Sequence, residues 1–206
     1  DLFEFDRHHY ILVVDYYSRW VEIRHLETTT SEACVGALKS VFATHGIPDM
    51  MISDNGPQYS SSAFREFTKS FGFTHVTSSP RYPQANGEAE RAVRTVKGML
   101  TKSEDPYLGL LAYRSAPLQN GLSPSQLLMG RQLRTTLPVV AKTLQPSRGR
   151  EENVREGEAR YRSNAASNYN SRHRATTLPV LQEGDPVWVR DQERSGTVTS
   201  CGPSPR

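Results

Sequence analysis

A continuous apolar run at residues 10–14, Tyr-Ile-Leu-Val-Val, is the feature that most constrains how this chain folds. The segments on either side, residues 1–5 and 20–24, alternate polar and apolar side chains, and residues 6–9 predict a turn. Alternation is typical of a strand with one solvated face, whereas a continuous run is typical of a central strand. The three segments therefore predict a β-meander with the apolar strand in its middle.

The following segments predict helices that alternate with strands. Apolar residues recur at helical spacing in four segments and form strand-like runs in two others, namely residues 29–44, 60–70, 87–102 and 106–116, and residues 49–53 and 73–77. A helix that connects two strands implies a right-handed parallel crossover. The order βββαβαβα thus predicts an α/β fold with a mixed five-stranded sheet and helices on both faces. Residues 124–129 predict a further short helix, because proline is tolerated at the first helical position.

The composition permits one ordinary domain with an appendage. Of the 206 residues, 36% are hydrophobic, which is enough for one core but not for several. Residues 131–206 carry an excess of five positive charges, whereas residues 1–130 carry an excess of two negative ones. A basic C-terminal extension beside a slightly acidic domain suits a polyanionic partner, and ordinary variation explains the same balance equally well.

Cysteine usage and hydropathy exclude several protein classes. Cys34 and Cys201 are far apart and form no CxxC pair, so they do not make a cysteine-rich metal site. Cys34 lies in a predicted amphipathic helix, which favours a buried core position. No apolar run approaches the roughly 18 residues of a membrane span, and no signal-peptide pattern opens the chain. We therefore expect a soluble intracellular protein with reduced thiols and no membrane partner.

One candidate carboxylate follows a predicted strand. Asp54 comes after the apolar residues 50–52 and precedes Asn55-Gly56-Pro57. Glycine tolerates a positive φ and proline begins a new segment, so these residues predict a sharp turn just after Asp54. An aspartate before Asn-Gly also initiates turns, and this structural role is the alternative to a chemical one.

A second candidate carboxylate lies on the helix predicted at residues 87–102. Glu90, Arg94 and Lys97 fall within about 60° of one another on one face of this helix, opposite an apolar stripe. A solvated surface helix would have the same polar face, and a glutamate also stabilises the first helical turn through the helix dipole. Both interpretations of Glu90 stay open on the helix alone.

Several motifs follow one another in a fixed order along the chain. They are Val14-Asp15-Tyr16-Tyr17-Ser18-Arg19, His45-Gly46-Ile47-Pro48, Asp54-Asn55-Gly56, Ser78-Ser79-Pro80, Pro83-Gln84-Ala85-Asn86-Gly87-Glu88-Ala89-Glu90 and Ser123-Pro124-Ser125-Gln126-Leu127-Leu128-Met129-Gly130-Arg131. In this order they resemble the integrase catalytic core of gypsy-type retrotransposons and retroviruses. The resemblance covers residues 1–140, and residues 183–191 resemble the same family more weakly.

The resemblance implies a ribonuclease-H-like fold and metal-dependent polynucleotidyl transfer. Such an enzyme first hydrolyses near a DNA 3′ end and then uses that 3′-hydroxyl to attack a target strand. The implied partners are the DNA ends of the element, the target DNA and further copies of the chain in a homo-oligomer. The implied location is the nucleus, after import from the cytoplasm.

The implied chemistry needs a third carboxylate besides Asp54 and Glu90. Hard cations such as Mg²⁺ take oxygen ligands, and two of them activate the attacking oxygen and stabilise the leaving one. The N-terminal candidates are Asp1, Asp6 and Asp15. In the family the first aspartate lies on the first strand, before an apolar or aromatic residue, as Asp1 does, and the Asp15 motif is not catalytic. The resemblance therefore implies Asp1, Asp54 and Glu90 as catalytic and metal-binding residues, with two Mg²⁺ or Mn²⁺ ions when DNA is bound.

The resemblance also implies DNA-binding residues near this site. Arg94 and Lys97 lie one and two turns beyond the glutamate, about 6 Å and 10 Å along the helix axis, where they would contact DNA phosphates. In the preceding loop, Gln84 and Asn86 would bond a base or a phosphate. Tyr82 would stack on a base, with loop packing as an equal alternative.

The expected organisation has three segments. Residues 1–140 would form the integrase catalytic core, residues 141–180 a polar linker or solvated helix, and residues 181–206 the truncated start of a small C-terminal β-barrel. His45 and His75 are better suited to structural roles than to metal binding.

Two other functions stay open. A catalytically silent, domesticated or decayed copy would bind DNA or a protein, and a ribonuclease H would share the fold. The integrase-like loop argues against the ribonuclease.

Overall fold

The structure is a computed structural model that describes residues 1–78, 87–146, 151–173, 181–189 and 193–200. The chain forms two compact units, Asp1–Arg155 and Glu156–Arg206. Within these described segments, no helix is both long enough and apolar enough to cross a lipid bilayer.

The first unit begins with the predicted antiparallel meander. Its strands are β1 (Leu2–Phe5), β2 (His8–Val14) and β3 (Val21–Leu26), in that spatial order. Asp6 and Arg7 form the turn between β1 and β2, with φ angles of 48° and 61°. Two successive positive φ angles match the twist of the flanking strands. The resulting register places Leu2 opposite Ile11.

Helix α1 (Ser31–His45) leads from the meander to a parallel strand pair. The helix begins after Thr30, whose hydroxyl accepts a hydrogen bond from the Ala33 amide at 3.3 Å. The remaining elements of this part are β4 (Met50–Ser53), α2 (Pro57–Ser60), α3 (Ser62–Phe71) and β5 (Thr74–Thr77). The sequence predicted all of them except α2, because a four-residue helix that begins with proline has no apolar periodicity to reveal it.

Three further helices follow in the first unit. They are α4 (Gly87–Lys102), α5 (Pro106–Ser115) and α6 (Pro124–Met129). The hydroxyl of Ser123 and the side chain of Gln126 form a reciprocal capping box that fixes the start of α6. Arg114 of α5 donates a hydrogen bond to the carbonyl of Val21 at 2.7 Å, which docks α5 on β3.

The five strands of this unit form two hydrogen-bonded sheets among the described residues. Strands β1, β2 and β3 pair antiparallel, and β4 pairs with β5 in parallel. The predicted order βββαβαβα is therefore present with α2 added, whereas the hydrogen-bonded pairs do not unite the strands into the single predicted five-stranded sheet. Turns between consecutive strands are visible in a sequence, but hydrogen bonding between strands from distant segments depends on tertiary packing.

Strand β2 is buried on both faces, as its apolar run predicts. Ile11 packs in a cluster with Phe42 of α1 and Phe67 of α3, and the next residue, Leu12, packs in a second cluster with Val96 of α4. Ile11 and Leu12 are each 1% exposed. Because successive side chains of a strand point to opposite faces, helices cover the meander on both sides.

The described residues beyond α6 are mostly polar. A 3₁₀ turn spans Ala141–Leu144, and helix α7 spans Glu151–His173. In the second unit, β6 (Pro186–Val189) and β7 (Arg194–Thr197) form an antiparallel hairpin. The expected segment boundaries at residues 140 and 180 stay predictions.

Candidate active site

Asp1 lies immediately before β1 and is joined to the centre of the meander. Its backbone nitrogen donates to the carbonyl of Leu12 at 2.9 Å, and its carbonyl accepts from the Leu12 amide at 2.8 Å. Asp1 is therefore paired with the buried middle of β2 and continues the register in which Leu2 lies opposite Ile11.

Asp54 follows β4, as predicted, and is half-buried. Its Oδ1 accepts a hydrogen bond from the Gly56 amide at 3.2 Å, which closes a tight turn. Gly56 has a φ of −61°, so the predicted turn forms without the positive φ that glycine tolerates. The space that a Cβ would occupy at Gly56 holds the side chain of Gln58 instead. Glycine therefore admits a neighbouring side chain here and does not supply a special backbone angle.

Glu90 lies in the first turn of α4 with its side chain exposed to solvent. Arg94, one turn further along, is also exposed. Ala89, Ala92 and Val96 are buried on the opposite side of the helix. The predicted division of α4 into a polar face and an apolar face is therefore present, with Glu90 on the polar side.

Lys97 has a different environment from Arg94. It is half-buried, and its Nζ lies 5.7 Å from the centroid of the Phe3 ring on β1. An ammonium over an aromatic face is attracted by the ring quadrupole. This contact ties the middle of α4 to the strand that begins beside Asp1.

The described residues include no group of three or more histidine, cysteine, aspartate or glutamate side chains arranged to hold a metal ion. The structure places Asp1 directly before β1, Asp54 directly after β4 and Glu90 on the polar face of α4. The convergence of all three carboxylates on one cation site stays a prediction. The loop residues Tyr82, Gln84 and Asn86 lie outside the described residues.

Two buried residues, Tyr59 and Cys34, belong to the apolar cluster on one face of the meander. Tyr59 of α2 is 1% exposed, and burial raises the pKa of its hydroxyl, as do the charges of Cys34 and Asp54. Cys34 is fully buried, as predicted, and burial raises the pKa of its thiol. Tyr59 lies in helix α2, which the sequence did not predict. Pro57, as a proline at the first helical position, is the one signal that could have indicated this helix.

The two histidines considered in the sequence have structural contacts. Nε2 of His75 lies 2.9 Å from Oγ of Ser53, and its ring packs at 4.8 Å from the Phe64 ring, measured between centroids. Burial lowers the pKa of His75. Nε2 of His45 lies 2.9 Å from Oε1 of Glu22. Both side chains are therefore held by neighbouring residues, in agreement with the structural roles expected for them.

Comparison with known proteins relates this geometry to a family. Residues 2–83 match the family model of the integrase core domain. The chain is 33% identical over 143 residues to the uncharacterized protein K02A2.6 of Caenorhabditis elegans, a match that covers 65% of this chain and 11% of that protein. It is 30% identical over 138 residues to the Gag-Pol polyprotein of Walleye dermal sarcoma virus, over 61% of this chain and 8% of the polyprotein. The chain thus spans about a tenth of the length of these relatives.

A solved structure shares the fold. The integrase catalytic core domain of HTLV-2, in complex with magnesium and in a trimeric form, superposes with a TM-score of 0.51 and 22% sequence identity. The match covers 62% of this chain and 90% of that one. At this identity the likeness concerns the fold alone, and it implies the ribonuclease-H-like α/β fold that the sequence predicted.

Proposed function

Since this chain carries an integrase core domain of the retroviral type, we propose that it is the catalytic core of a gypsy-type retroelement integrase. It would hydrolyse near a DNA 3′ end and then join that end to a target strand. The observation that carries the proposal is the match of residues 2–83 to the integrase core domain, in a fold that places Asp1 directly before β1 and Asp54 directly after β4.

Glu90 is the third proposed catalytic residue, and the packing of α4 supports its assignment. Val96 of α4 and Phe3 of β1 belong to the same apolar cluster, and Lys97 lies over the Phe3 ring. Helix α4 is therefore held against the strand that follows Asp1. Because Glu90 is exposed, its carboxylate is accessible to a cation and to DNA.

The donor set fits Mg²⁺ or Mn²⁺ in kind, because Asp1, Asp54 and Glu90 offer carboxylate oxygens and no sulfur or nitrogen. The magnesium complex of the HTLV-2 core supports this choice of cation. When bound, a pair of such ions supplies charge neutralisation at the scissile phosphate. The three carboxylates would hold the ions, and the exposed guanidinium of Arg94 would orient the DNA by binding a backbone phosphate.

The proposed partners are the DNA ends of the element, target DNA and further copies of the chain. The trimeric form of the HTLV-2 core supports a homo-oligomer, and an enzyme that integrates DNA would act in the nucleus. Tyr82, Gln84 and Asn86 are proposed to contact DNA from the loop before α4, and Lys97 to contact a phosphate once DNA displaces it from the Phe3 ring.

Strand transfer with a labelled duplex oligonucleotide tests the proposal. We expect joined products with Mg²⁺ or Mn²⁺, no products with a chelator, and a loss of at least a hundredfold in Glu90→Gln and Asp54→Asn. Glu104→Gln is the matched control, because Glu104 is also exposed and lies just beyond α4. Equal activity of Glu90→Gln and the unmodified chain would overturn the assignment.

Two further readouts separate the proposed enzyme from the alternatives. A metal-binding site predicts a rise in melting temperature with Mg²⁺ or Mn²⁺ that Glu90→Gln reduces, because a ligand that binds only the folded state stabilises it. DNA binding without metal-dependent stabilisation or transfer would indicate a catalytically silent copy. Cleavage of an RNA–DNA hybrid, with no strand transfer, would indicate a ribonuclease H.

A further inference from the structure

The turn between β2 and β3 holds Arg19 in a fixed and unusual conformation. Oδ2 of Asp15 accepts hydrogen bonds from the Ser18 amide at 2.8 Å and from the Ser18 hydroxyl at 2.6 Å. The Arg19 amide donates to the carbonyl of Asp15 at 2.8 Å. Arg19 itself has a φ of 60°, a left-handed conformation that costs energy for a residue with a side chain. The turn therefore holds Arg19 in a strained backbone conformation, and the contacts of the Arg19 side chain give a reason for it.

The side chain of Arg19 points to the start of α4. Its guanidinium nitrogen lies 3.6 Å from Oε2 of Glu88, and the two side chains are 12% and 21% exposed. The hydroxyl of Tyr113 on α5 donates to the carbonyl of Arg19 at 2.9 Å. We call these three residues, Arg19, Glu88 and Tyr113, the α4 clamp. It joins the β2–β3 turn, α4 and α5 at one point.

The carboxylate of Glu88 lies where water is partly excluded. Burial raises the pKa of the Tyr113 hydroxyl, Glu88 raises it further, and Arg19 acts in the opposite direction. The Tyr16 hydroxyl, in the same turn as Arg19, has its pKa raised by burial and then by Glu88. Coulomb attraction between opposite charges is stronger where water is partly excluded, and the desolvation cost of the two charges opposes it. The 3.6 Å pair between Arg19 and Glu88 therefore acts on the position of α4 more than on global stability.

Among the described residues, apolar packing contributes little to the first turn of α4. Of Gly87, Glu88, Ala89 and Glu90, only the small side chain of Ala89 is buried. Further along, Ala92 and Val96 pack in the apolar cluster of the meander. The clamp therefore acts on the one turn that carries Glu90, whereas apolar burial holds the rest of the helix.

We propose that Glu88 and Arg19 are positioning residues that order the first turn of α4 and thereby aim Glu90 at the metal site. The inference rests on the proposed function, because it takes Glu90 as a metal ligand. Glu88 is two residues before Glu90, about 200° around the helix, so it anchors one side while Glu90 stays free on the other. Glu88 also accepts from Arg91 at 2.8 Å, which links the first turn to the second.

The test has two parts. Hydrogen exchange in the absence of metal measures the order of α4, and strand transfer measures the metal concentration that the enzyme requires. We expect Arg19→Gly and Glu88→Gln to speed hydrogen exchange about tenfold at the amides of residues 91 and 92, whose helical acceptors lie in the first turn. The Mg²⁺ concentration for half-maximal strand transfer should rise about tenfold, with a change of under about 3 °C in melting temperature. Arg19→Lys keeps the charge and should restore most of both readouts.

Two matched controls isolate the clamp. Arg7→Gly removes an exposed arginine with a φ of 61°, so it relieves the same backbone strain away from α4. Glu32→Gln removes a carboxylate from the first turn of α1, at the same helical position as Glu88 in α4. Neither should change the exchange at residues 91 and 92 or the metal requirement.

The outcomes distinguish this inference from the proposed function. If Glu90→Gln abolishes strand transfer while Arg19→Gly and Glu88→Gln leave exchange and metal requirement unchanged, the positioning role is refuted and the catalytic assignment stands. If Glu90→Gln is fully active, the catalytic assignment fails, and faster exchange in the clamp variants would then report helix order alone. Equal loss of global stability and activity, without rescue by Arg19→Lys, would also refute positioning.

Discussion

Nε2 of His45 lies 2.9 Å from Oε1 of Glu22, so the last turn of α1 is tied to strand β3. The same carboxylate accepts from Trp20 Nε1 and from Arg24, each at 2.8 Å, and lies 3.1 Å from Arg114. Burial alone would raise the pKa of Glu22, but these donors and charges outweigh it and lower the pKa to about 2. One carboxylate thus connects β3, α1 and α5.

This network predicts acid sensitivity with a defined window. A carboxylate whose pKa is lower in the folded state stabilises it fully above the ordinary value of 4.5, and this stabilisation is lost as the pH falls towards 2. Glu22→Gln should cost about 1–3 kcal/mol at neutral pH and flatten the fall of unfolding free energy across that window. Urea unfolding at several pH values measures both effects. Glu66→Gln, at an exposed site on α3, should leave the curve unchanged.

Arg94 and Lys97 should differ in how they bind DNA. Because Arg94 is exposed, Arg94→Ala should weaken binding and reduce the slope of log affinity against log salt by about 1. Lys97→Ala should weaken binding less than Arg94→Ala does, since binding a phosphate would remove the ammonium from the Phe3 ring and so offset part of the gain. Fluorescence anisotropy at several salt concentrations measures the affinities and their salt slopes. Lys69→Ala, on exposed α3 surface, is the control, and equal slopes for all three variants would contradict the prediction.

Replacing either of two glycines with alanine should change the stability of the protein, in opposite directions for the two positions. Gly36 lies inside α1, where a Cβ would meet nothing within 4 Å, so Gly36→Ala should stabilise the protein by about 0.5–1 kcal/mol. Gly72 ends α3 with a φ of 72°, which disfavours any side chain, so Gly72→Ala should destabilise it by about 1 kcal/mol. Chemical denaturation compares the two variants, and the same sign for both would contradict the conformational argument.

The aromatic cluster should dominate the stability of the first unit. The ring of Phe67 lies within 6 Å, between centroids, of the rings of Phe42, Phe64, Phe71 and Phe73. Phe67→Ala should lower the unfolding free energy by about 3–5 kcal/mol, because it removes transfer energy and leaves a cavity. Urea unfolding measures this loss. Tyr107→Ala, at a side chain that is 83% exposed, should change the free energy by less than about 0.5 kcal/mol.

The sequence predicted the elements of the first unit because their signals are local. The apolar run at residues 10–14 predicted a strand buried on both faces, and the helical spacing at residues 87–102 predicted α4 with Glu90 on its polar side. Gly56 was correctly placed in a turn, although its φ is negative and its Cβ position is occupied by the movable end of the Gln58 side chain. Local patterns give element types more readily than side-chain contacts.

The contacts that connect distant segments could not be predicted in the same way. Arg19 and Glu88 are far apart in the chain, and nothing in their spacing signals an ion pair. The network around Glu22 likewise depends on how α1 and α5 pack on β3. Such pairs depend on tertiary packing, for which a single sequence carries no periodic signal.

The double-sided burial of β2 has a consequence for how the meander assembles. Because Ile11 and Leu12 are equally buried, sliding this strand by one position would exchange one apolar side chain for another on each face. Burial alone would therefore oppose such misalignment only weakly. The tight bend at Asp6 and Arg7 and the bonded loop from Asp15 to Arg19 must supply the alignment. The register of this sheet is therefore set by two short polar loops and not by the apolar strand between them.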